Sequence, residues 1–345
     1  MKAPILNIYY LLCYAWDYWK EGQLVNISHE PFHSLPDLLV HVLNAGTGHL
    51  LRRGVDQRYL AQEDDLSSPR GRIDIGATLT RLLTLRSRLC CVYDELSHDV
   101  HHNRIIKATL CRAARAKDLE KRLAEESSYL YRRLHEISDM PLSASSFCKT
   151  DAPRIGRFYS FLLEVCRILY YSLLVDPKTG GSVFRDVLQD DKTMNGIFEQ
   201  FIRKFYAKEQ TLFNVSAKTF KWIDVDAKSD DDRSALPLMK TDVTLESAKR
   251  VIILDAKYYA SCLQTSQYGK ATIHSGNLYQ LYAYMRNAAK KYGPSCTVEG
   301  ILIYPVLGQP LDLHFRIHGH PVSIVTVDLN QHWTGIKHRL LEVIT

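Results

Sequence analysis

The chain has 345 residues, of which 46% are hydrophobic and 24% are charged, and its formal net charge is +6. This length exceeds that of one ordinary domain, and the apolar content excludes an intrinsically disordered chain. The eight cysteines include no C-x-x-C pair, which argues against a zinc ribbon or an iron–sulfur cluster. The mild positive charge permits a nucleic-acid partner but does not require one.

No secretory signal opens the chain, and no apolar stretch approaches the roughly 20 residues of a transmembrane helix. We therefore expect a cytoplasmic protein that binds no membrane. The chain also has neither a G-x-x-x-x-G-K-[ST] phosphate-binding loop nor a G-x-S-x-G nucleophile elbow. Any nucleotide hydrolysis is therefore expected to belong to a partner.

The first half of the chain predicts a mixed α+β domain. Residues 7–19 carry apolar side chains at helical spacing, and residues 71–75 fit a strand. Residues 103–134 predict a helix whose first part is rich in Lys and Arg. A basic helix either contacts DNA phosphates or an acidic partner, or forms the solvated face of a helix bundle. Three histidines are predicted to lie in a turn before this helix without binding metal: His98, His101 and His102.

A cluster of helix-breaking residues at 176–181 follows an apolar helix and predicts the domain boundary. We place a partner-coupling domain at residues 1–178 and a second domain at residues 179–345. In the second domain, apolar strands alternate with amphipathic helices. The predicted fold is therefore mixed α/β, with a sheet flanked by helices.

Two runs in the second domain predict a β-hairpin that brings two acids together. The strands span about residues 238–246 and 251–258 around a short loop, so that Asp242 lies opposite Asp255. Opposed residues have Cβ atoms roughly 4.5–5.5 Å apart. Since side chains alternate along a strand, Asp255 and Lys257 share one face. Two carboxylates and an ammonium group are therefore expected to converge.

Such a cluster suits phosphodiester hydrolysis. Two close carboxylates repel each other unless a cation lies between them, and Mg²⁺ prefers one or two carboxylates together with waters and phosphate oxygens. A bound divalent ion would supply a hydroxide-like nucleophile, and the lysine would orient the water or offset developing negative charge. A surface hairpin with an ordinary Asp–Lys ion pair is the alternative.

Two helices flank the predicted hairpin. Upstream, an amphipathic helix at residues 197–206 carries Glu199 beside its apolar row, and downstream Gln280 and Tyr284 stand at i and i+4 on one helix face. The order of acid-bearing helix, strand with Asp242, strand with Asp-Ala-Lys and helix with Q-x-x-x-Y resembles the PD-(D/E)xK nuclease superfamily, in particular its Q-x-x-x-Y branch. The resemblance covers about residues 195–305.

The resemblance implies roles for the site residues. The metal ligands that it implies are Asp242, Asp255 and the carbonyl oxygen of Ala256. The ion would be Mg²⁺, for which Mn²⁺ can substitute. The catalytic set adds Lys257, with Gln280 and Tyr284 positioning DNA or the lysine.

Two positions fit the superfamily pattern less closely. Glu199 lies where many members keep a further metal-binding acid, but its place beside the apolar row suits an ordinary solvated residue equally well. Thr241 stands where the superfamily name has Pro, which is a frequent departure.

Strings in the first half resemble the McrC family, the nuclease subunits of McrBC modification-dependent restriction systems. They lie at residues 7–16, 51–54, 71–74 and 103–110, and this resemblance covers nearly the whole chain. It implies an endonuclease that cleaves double-stranded DNA carrying modified cytosine, such as 5-methylcytosine, together with a McrB-like AAA+ GTPase hexamer. The partner would bind the GTP, and the first domain would stimulate its hydrolysis.

Cleavage of both DNA strands by a nuclease with one site would need two such subunits near one another. Two other functions stay open at this point. One is a stand-alone nuclease of the same superfamily acting in DNA repair. The other is a non-catalytic adaptor that activates the GTPase of its partner.

Overall fold

A computed structural model of the chain describes residues 4–23, 32, 34–148, 156–175, 182–184, 191–223, 225–226, 228–258, 263–265, 271–306 and 310–345. The chain folds into two compact units. The first, which we call the discontinuous unit, comprises Met1–Leu24 and Asp186–Thr345. The second, Val25–Arg185, lies between these segments in the sequence and is called the inserted unit.

The helices are numbered in chain order. They are α1 (Ile5–Ala15), α2 (Trp19–Gly22), α3 (Leu35–Arg53), α4 (Ile75–Thr80), α5 (His101–Ala114), α6 (Lys121–Arg133), α7 (Arg157–Ser172), α8 (Asp191–Glu209), α9 (Asp230–Ser234), α10 (Ser275–Tyr292) and α11 (Trp333–Glu342), with short 3₁₀ helices at Leu83–Arg86 and Ala144–Phe147.

The strands are numbered in the same way. They are β1 (Arg58–Leu66), β2 (Arg72–Ile73), β3 (Leu89–Ser97), β4 (Leu173–Val175), β5 (Ser182–Phe184), β6 (Asn214–Ser216), β7 (Thr219–Phe220), β8 (Met239–Lys240), β9 (Val243–Glu246), β10 (Arg250–Ala256), β11 (Leu263–Thr265), β12 (Ala271–Ile273), β13 (Thr297–Pro305), β14 (Asp312–Ile317) and β15 (His320–Val327).

Helices form the core of the inserted unit. Both α3 and α5 pack against α6 and α7. α3 begins where the hydroxyl group of Ser34 accepts a hydrogen bond from the N–H of Asp37, and it ends before Gly54, whose φ of 97° favours glycine. The unit also contains an antiparallel three-stranded sheet with β3 between β1 and β2.

A six-stranded sheet organises the discontinuous unit in the described residues, with the order β14-β15-β13-β10-β9-β6. The central strands β10, β13 and β15 run parallel, and the other neighbours pair antiparallel. Parallel strands need a crossover connection, which α10 provides between β10 and β13. The predicted mixed α/β fold is confirmed.

Alternate side chains of β10 enter two separate cores. Ile252, Leu254 and Ala256 pack with residues of α1, α8 and α11 on one face of the sheet. Val251 and Ile253 pack with residues of α10 on the other face. Because strand side chains alternate with period two, Asp255 lies on the face that α10 covers.

The predicted first domain, residues 1–178, is corrected at its start, because α1 and α2 belong to the discontinuous unit. Leu11 and Tyr14 are buried in the same core as Phe201 and Phe205 of α8. The amide group of Asn7 also donates to the carbonyl oxygens of Leu329 and Gln331, at 2.7 and 2.9 Å. The predicted boundary at 176–181 lies outside the described residues.

Two predicted elements are divided in the structure. The helix predicted at 103–134 breaks between α5 and α6, and the strand predicted at 238–246 separates into β8 and β9. The break between those strands falls at Thr241, whose N–H and side chain both bond the main chain of Lys218. β8 therefore pairs with β7, whereas β9 pairs with β10 and β6.

The basic segment of α5 is engaged within the inserted unit. Arg104 forms two hydrogen bonds of 2.7 Å with Asp99, the ammonium group of Lys107 donates to the carbonyl of Ile137, and Arg112 stacks on Tyr170. These contacts favour the interpretation of α5 as a bundle helix. None of the described helices is both long and apolar enough to cross a membrane.

Candidate active site

The hairpin formed by β9 and β10 has the register that the sequence predicts. The last paired residues are Leu254 and Val243, so Asp255 and Asp242 are the next opposed positions. Asp242 lies immediately before β9, Asp255 is the second-last residue of β10, and Lys257 follows that strand. The strand pairing thus places both carboxylates at one end of the hairpin.

Three predicted site residues come together there. The ammonium group of Lys257 lies 3.0 Å from Oδ1 of Asp255 and 3.5 Å from Oδ2 of Asp242. The main-chain N–H of Ala256 donates to Oδ2 of Asp242 at 3.1 Å. Lys257 is itself held on the sheet, because its main-chain N–H donates to the carbonyl of Ile303 in β13 at 3.0 Å. The two carboxylates therefore share one cation.

Burial controls the protonation of this cluster. Asp255 is 1% exposed and Lys257 is 8% exposed. Burial raises the pKa of Asp255 to about 7 although the charge of Lys257 opposes the change, and the charge of Asp242 raises it further. Burial by itself would lower the pKa of Lys257, but the nearby charges of Asp255 and Asp242 raise it above its ordinary value. The lysine is therefore charged at neutral pH.

One oxygen of the cluster is available to a further ligand. Oδ2 of Asp255 is buried and has no hydrogen-bond partner among the described residues. An unpaired buried carboxylate oxygen is costly unless a cation or donor meets it. Together with Asp242 and the carbonyl of Ala256, this oxygen fits the oxygen-rich donor set that Mg²⁺ prefers. The residues present thus suit a divalent ion.

Glu199 is the third acid that the sequence predicts as a metal ligand. No three His, Cys, Asp or Glu side chains are grouped closely enough to hold a metal ion in the part of the chain that the structure describes. Glu199 lies on α8, half-buried, and burial followed by the charge of Asp242 raises its pKa. Its carboxylate accepts a hydrogen bond from the amide of Asn195. Its role as a metal ligand stays a prediction.

The Q-x-x-x-Y pair is formed but stands apart from the carboxylates. The amide of Gln280 donates to the phenol oxygen of Tyr284 at 2.7 Å across one turn of α10. Among the described residues, no hydrogen bond joins either side chain to the cluster of Asp242, Asp255 and Lys257. α10 covers the sheet face on which Asp255 lies, and the proposed roles of Gln280 and Tyr284 stay a prediction.

Two residues near the site were missed by the sequence analysis. Asn195 accepts a hydrogen bond from the N–H of Tyr258 at 2.8 Å, and Arg203 donates to the carbonyl of Asp242 at 3.4 Å. With Glu199 they stand at i, i+4 and i+8 of α8, so they share one helix face. A row of three polar residues beside the apolar row of α8 was the signal in the sequence.

The three histidines contact different groups of the inserted unit. His98 contacts the carbonyl of Val55, His101 contacts the carbonyl of Ser146, and His102 lies 2.8 Å from the carboxylate of Asp56.

Comparison with known proteins supports the family that the sequence indicated. A relative from Escherichia coli strain K12, the type IV methyl-directed restriction enzyme EcoKMcrBC, is 32% identical over 340 residues, covering 99% of this chain and 97% of that protein. A chain in the refined half-complex from a tetradecameric assembly of Thermococcus gammatolerans McrB AAA+ hexamers with bound McrC has a TM-score of 0.63 at 16% identity, covering 99% of this chain and 76% of that one. This second likeness shows a shared fold.

The family model described as McrBC 5-methylcytosine restriction system component matches residues 8–305. That match spans both units described above, and the relative from Escherichia coli is similar over nearly its whole length. The chain therefore belongs to the family of McrBC 5-methylcytosine restriction system components.

Proposed function

We propose that this chain is the Mg²⁺-dependent nuclease subunit of a McrBC-type complex and hydrolyses phosphodiester bonds in DNA that carries modified cytosine. The observation that supports this most directly is the convergence of Asp242, Asp255 and Lys257, with one buried oxygen of Asp255 left without a hydrogen-bond partner. An ordinary surface ion pair would be exposed, whereas Asp255 and Lys257 are buried. The chain also belongs to a family of restriction-system components.

Asp242, Asp255 and the carbonyl of Ala256 would hold the divalent ion, which supplies a hydroxide-like nucleophile and stabilises charge on the phosphate. The N–H of Ala256 fixes the carboxylate of Asp242 in place before any ligand binds. Once the carboxylates are engaged, the ammonium group of Lys257 is free to donate to the attacking water or to the phosphate oxygens. Such preorganised charge is effective because the site is shielded from bulk water.

The partner is proposed from the relatives. The Thermococcus gammatolerans assembly contains McrB AAA+ hexamers with bound McrC, and the Escherichia coli relative is a methyl-directed enzyme. By this analogy, a McrB-like GTPase would bind GTP and recognise the modified base, and the inserted unit would stimulate its GTP hydrolysis. Two copies of the chain would meet to cut both strands.

The test is cleavage of cytosine-methylated and unmethylated plasmid by this chain with its McrB-like partner, GTP and Mg²⁺. Wild type is compared with Asp255→Ala and with Asp230→Ala, which removes an exposed acid of α9. GTP turnover is recorded in parallel. We expect wild type and Asp230→Ala to cut methylated DNA, and Asp255→Ala to stimulate GTP hydrolysis without cutting.

Other results would point elsewhere. If Asp255→Ala cuts at the wild-type rate, the nuclease proposal is refuted. It is also refuted if no variant cuts while GTP turnover is stimulated, and either result favours a non-catalytic adaptor that activates the GTPase. Cutting that needs neither GTP nor the partner would indicate a stand-alone nuclease.

A further inference from the structure

Helix α8 presents an amide to the end of the catalytic strand. Oδ1 of Asn195 accepts a hydrogen bond from the main-chain N–H of Tyr258 at 2.8 Å, and its Nδ2 donates to the carboxylate of Glu199. A main-chain N–H can only donate and an ionised carboxylate can only accept, so the two contacts fix the orientation of the amide. Asn195 therefore bridges Glu199 and the residue that follows Lys257.

The same helix reaches the other catalytic strand two turns later. The guanidinium group of Arg203 donates to the carbonyl oxygen of Asp242 at 3.4 Å. The pairing of β9 with β10 stops at Val243 and Leu254, so this ladder does not hold the main chain beyond those residues. Beyond the last paired residues, Asn195 bonds the main chain that follows β10, at Tyr258, and Arg203 bonds the main chain that precedes β9, at Asp242.

The helix that carries these groups is firmly packed. Phe198, Phe201, Ile202 and Phe205 of α8 are fully buried in the core beneath β9 and β10. Closely packed side chains of this kind resist displacement. A polar contact from α8 to the hairpin is therefore a contact to a rigid support.

We propose that Asn195 and Arg203 are positioning residues, which clamp the two catalytic strand ends to α8 and so set the placement of Lys257 and Asp242. This inference rests on the proposed nuclease function of the same site. A displacement of about 1 Å at a reacting group can lower a rate about a hundredfold. Asn195 acts through the main chain of Tyr258, and Arg203 acts through the main chain of Asp242.

The first measurement is hydrogen exchange at the amide of Tyr258 in the full chain, which does not depend on nuclease activity. Asn195→Ala removes the acceptor, Asn195→Asp keeps an acceptor oxygen but not the donor to Glu199, and Gln200→Ala changes an exposed neutral residue of the same helix. We expect exchange at Tyr258 to be at least about tenfold faster in Asn195→Ala alone, since a protecting bond is lost.

The second measurement is the cleavage of methylated DNA by the complete complex under saturating GTP. We expect Asn195→Ala to lower kcat about tenfold or more with an unchanged KM for DNA, because placement and not binding is altered. Asn195→Asp keeps the acceptor oxygen but sets a carboxylate against that of Glu199, so it should restore only part of kcat, and Gln200→Ala should match wild type. Arg203→Ala should lower kcat, and Arg203→Lys, which keeps an N–H donor, should lower it less.

The inference is overturned by wild-type exchange at Tyr258 in Asn195→Ala, or by faster exchange there without a change in kcat. A complex that does not cut at all would refute the nuclease proposal. In that case faster exchange at Tyr258 in Asn195→Ala would still support the clamp, and unchanged exchange would refute it.

Discussion

The main-chain N–H of Ala256 donates to Oδ2 of Asp242 at 3.1 Å, so that β10 orients the carboxylate that precedes β9. The substitution Asp242→Asn keeps an acceptor oxygen for this bond and removes the charge. We expect DNA cleavage by the assembled complex to fall about a hundredfold or more, because a metal-bound charge contributes several kcal/mol and about 1.4 kcal/mol is tenfold in rate. Thermal unfolding should stay close to that of wild type. Asp230→Asn is the matched control, and wild-type cleavage by Asp242→Asn would contradict the assigned role.

Metal affinity is expected to depend on pH in a window set by Asp255. Burial raises the pKa of this carboxyl group to about 7, so below that pH it carries a proton that a divalent ion must displace. The Mn²⁺ affinity of the full chain should therefore fall by up to about tenfold per pH unit below pH ~7 and level off above it. Calorimetric titration across that range measures this slope. An affinity that stays flat between about pH 5.5 and 8 would indicate a carboxylate of ordinary pKa.

Membership of α1 in the discontinuous unit can be tested with two matched asparagines. Asn7 donates to the carbonyls of Leu329 and Gln331, and Asn103 of the inserted unit donates to the carbonyls of Asp56 and His98. Asn7→Ala removes the donor to the carbonyls of Leu329 and Gln331, whereas Asn103→Ala removes the donor to that of Asp56, because the carbonyl of His98 also accepts from the N–H of Val100 at 2.8 Å. Each carbonyl left without a donor costs about 1–3 kcal/mol. Hydrogen exchange should show lost protection in the discontinuous unit for Asn7→Ala and in the inserted unit for Asn103→Ala. Loss spread equally over both units in either variant would contradict this division.

Close packing of α10 on β13 predicts that Gly300→Ala destabilises the protein. A Cβ atom at residue 300 would lie 2.2 Å from the sulfur of Met285 and 3.0 Å from the side chain of Leu281. Overpacking of this kind costs about 1–3 kcal/mol, although the flexible Met285 can absorb part of the strain. Gly276→Ala is the control, since no atom lies within 4 Å of a Cβ there and alanine favours the helix. Chemical denaturation should rank Gly300→Ala below wild type and Gly276→Ala at or above it.

The hairpin of β9 and β10 could be predicted because its geometry is local. The register follows from counting outward from a short loop, and the alternation of side chains then places Asp255 and Lys257 on one face. The roles of these residues required a resemblance to known nucleases, and they stay predictions until the substitutions above are measured. Local pattern thus supplied the arrangement of the site but not its activity.

The location of α1 could not be predicted from the sequence. Its apolar spacing shows only that one face is buried, and that face is equally compatible with either unit. The decisive contacts join residues far apart in the chain, as between Asn7 and Leu329, which are 322 residues apart. The clamp of α8 is similar, since helical spacing groups Asn195 with Arg203 but does not name the main-chain groups that they meet.

Because the discontinuous unit is formed from both ends of the chain, its core can be completed only late in synthesis. A ribosome completes the inserted unit before it makes α8, so the side chains of α1 that pack on α8 lack those partners during that time. The carbonyl groups that Asn7 binds come later still, at Leu329 and Gln331. A nascent chain therefore cannot complete the core beneath Asp242 and Asp255 until the inserted unit has already emerged. Any molecule that could carry out the proposed cleavage therefore already contains the inserted unit, which is proposed to stimulate the GTPase.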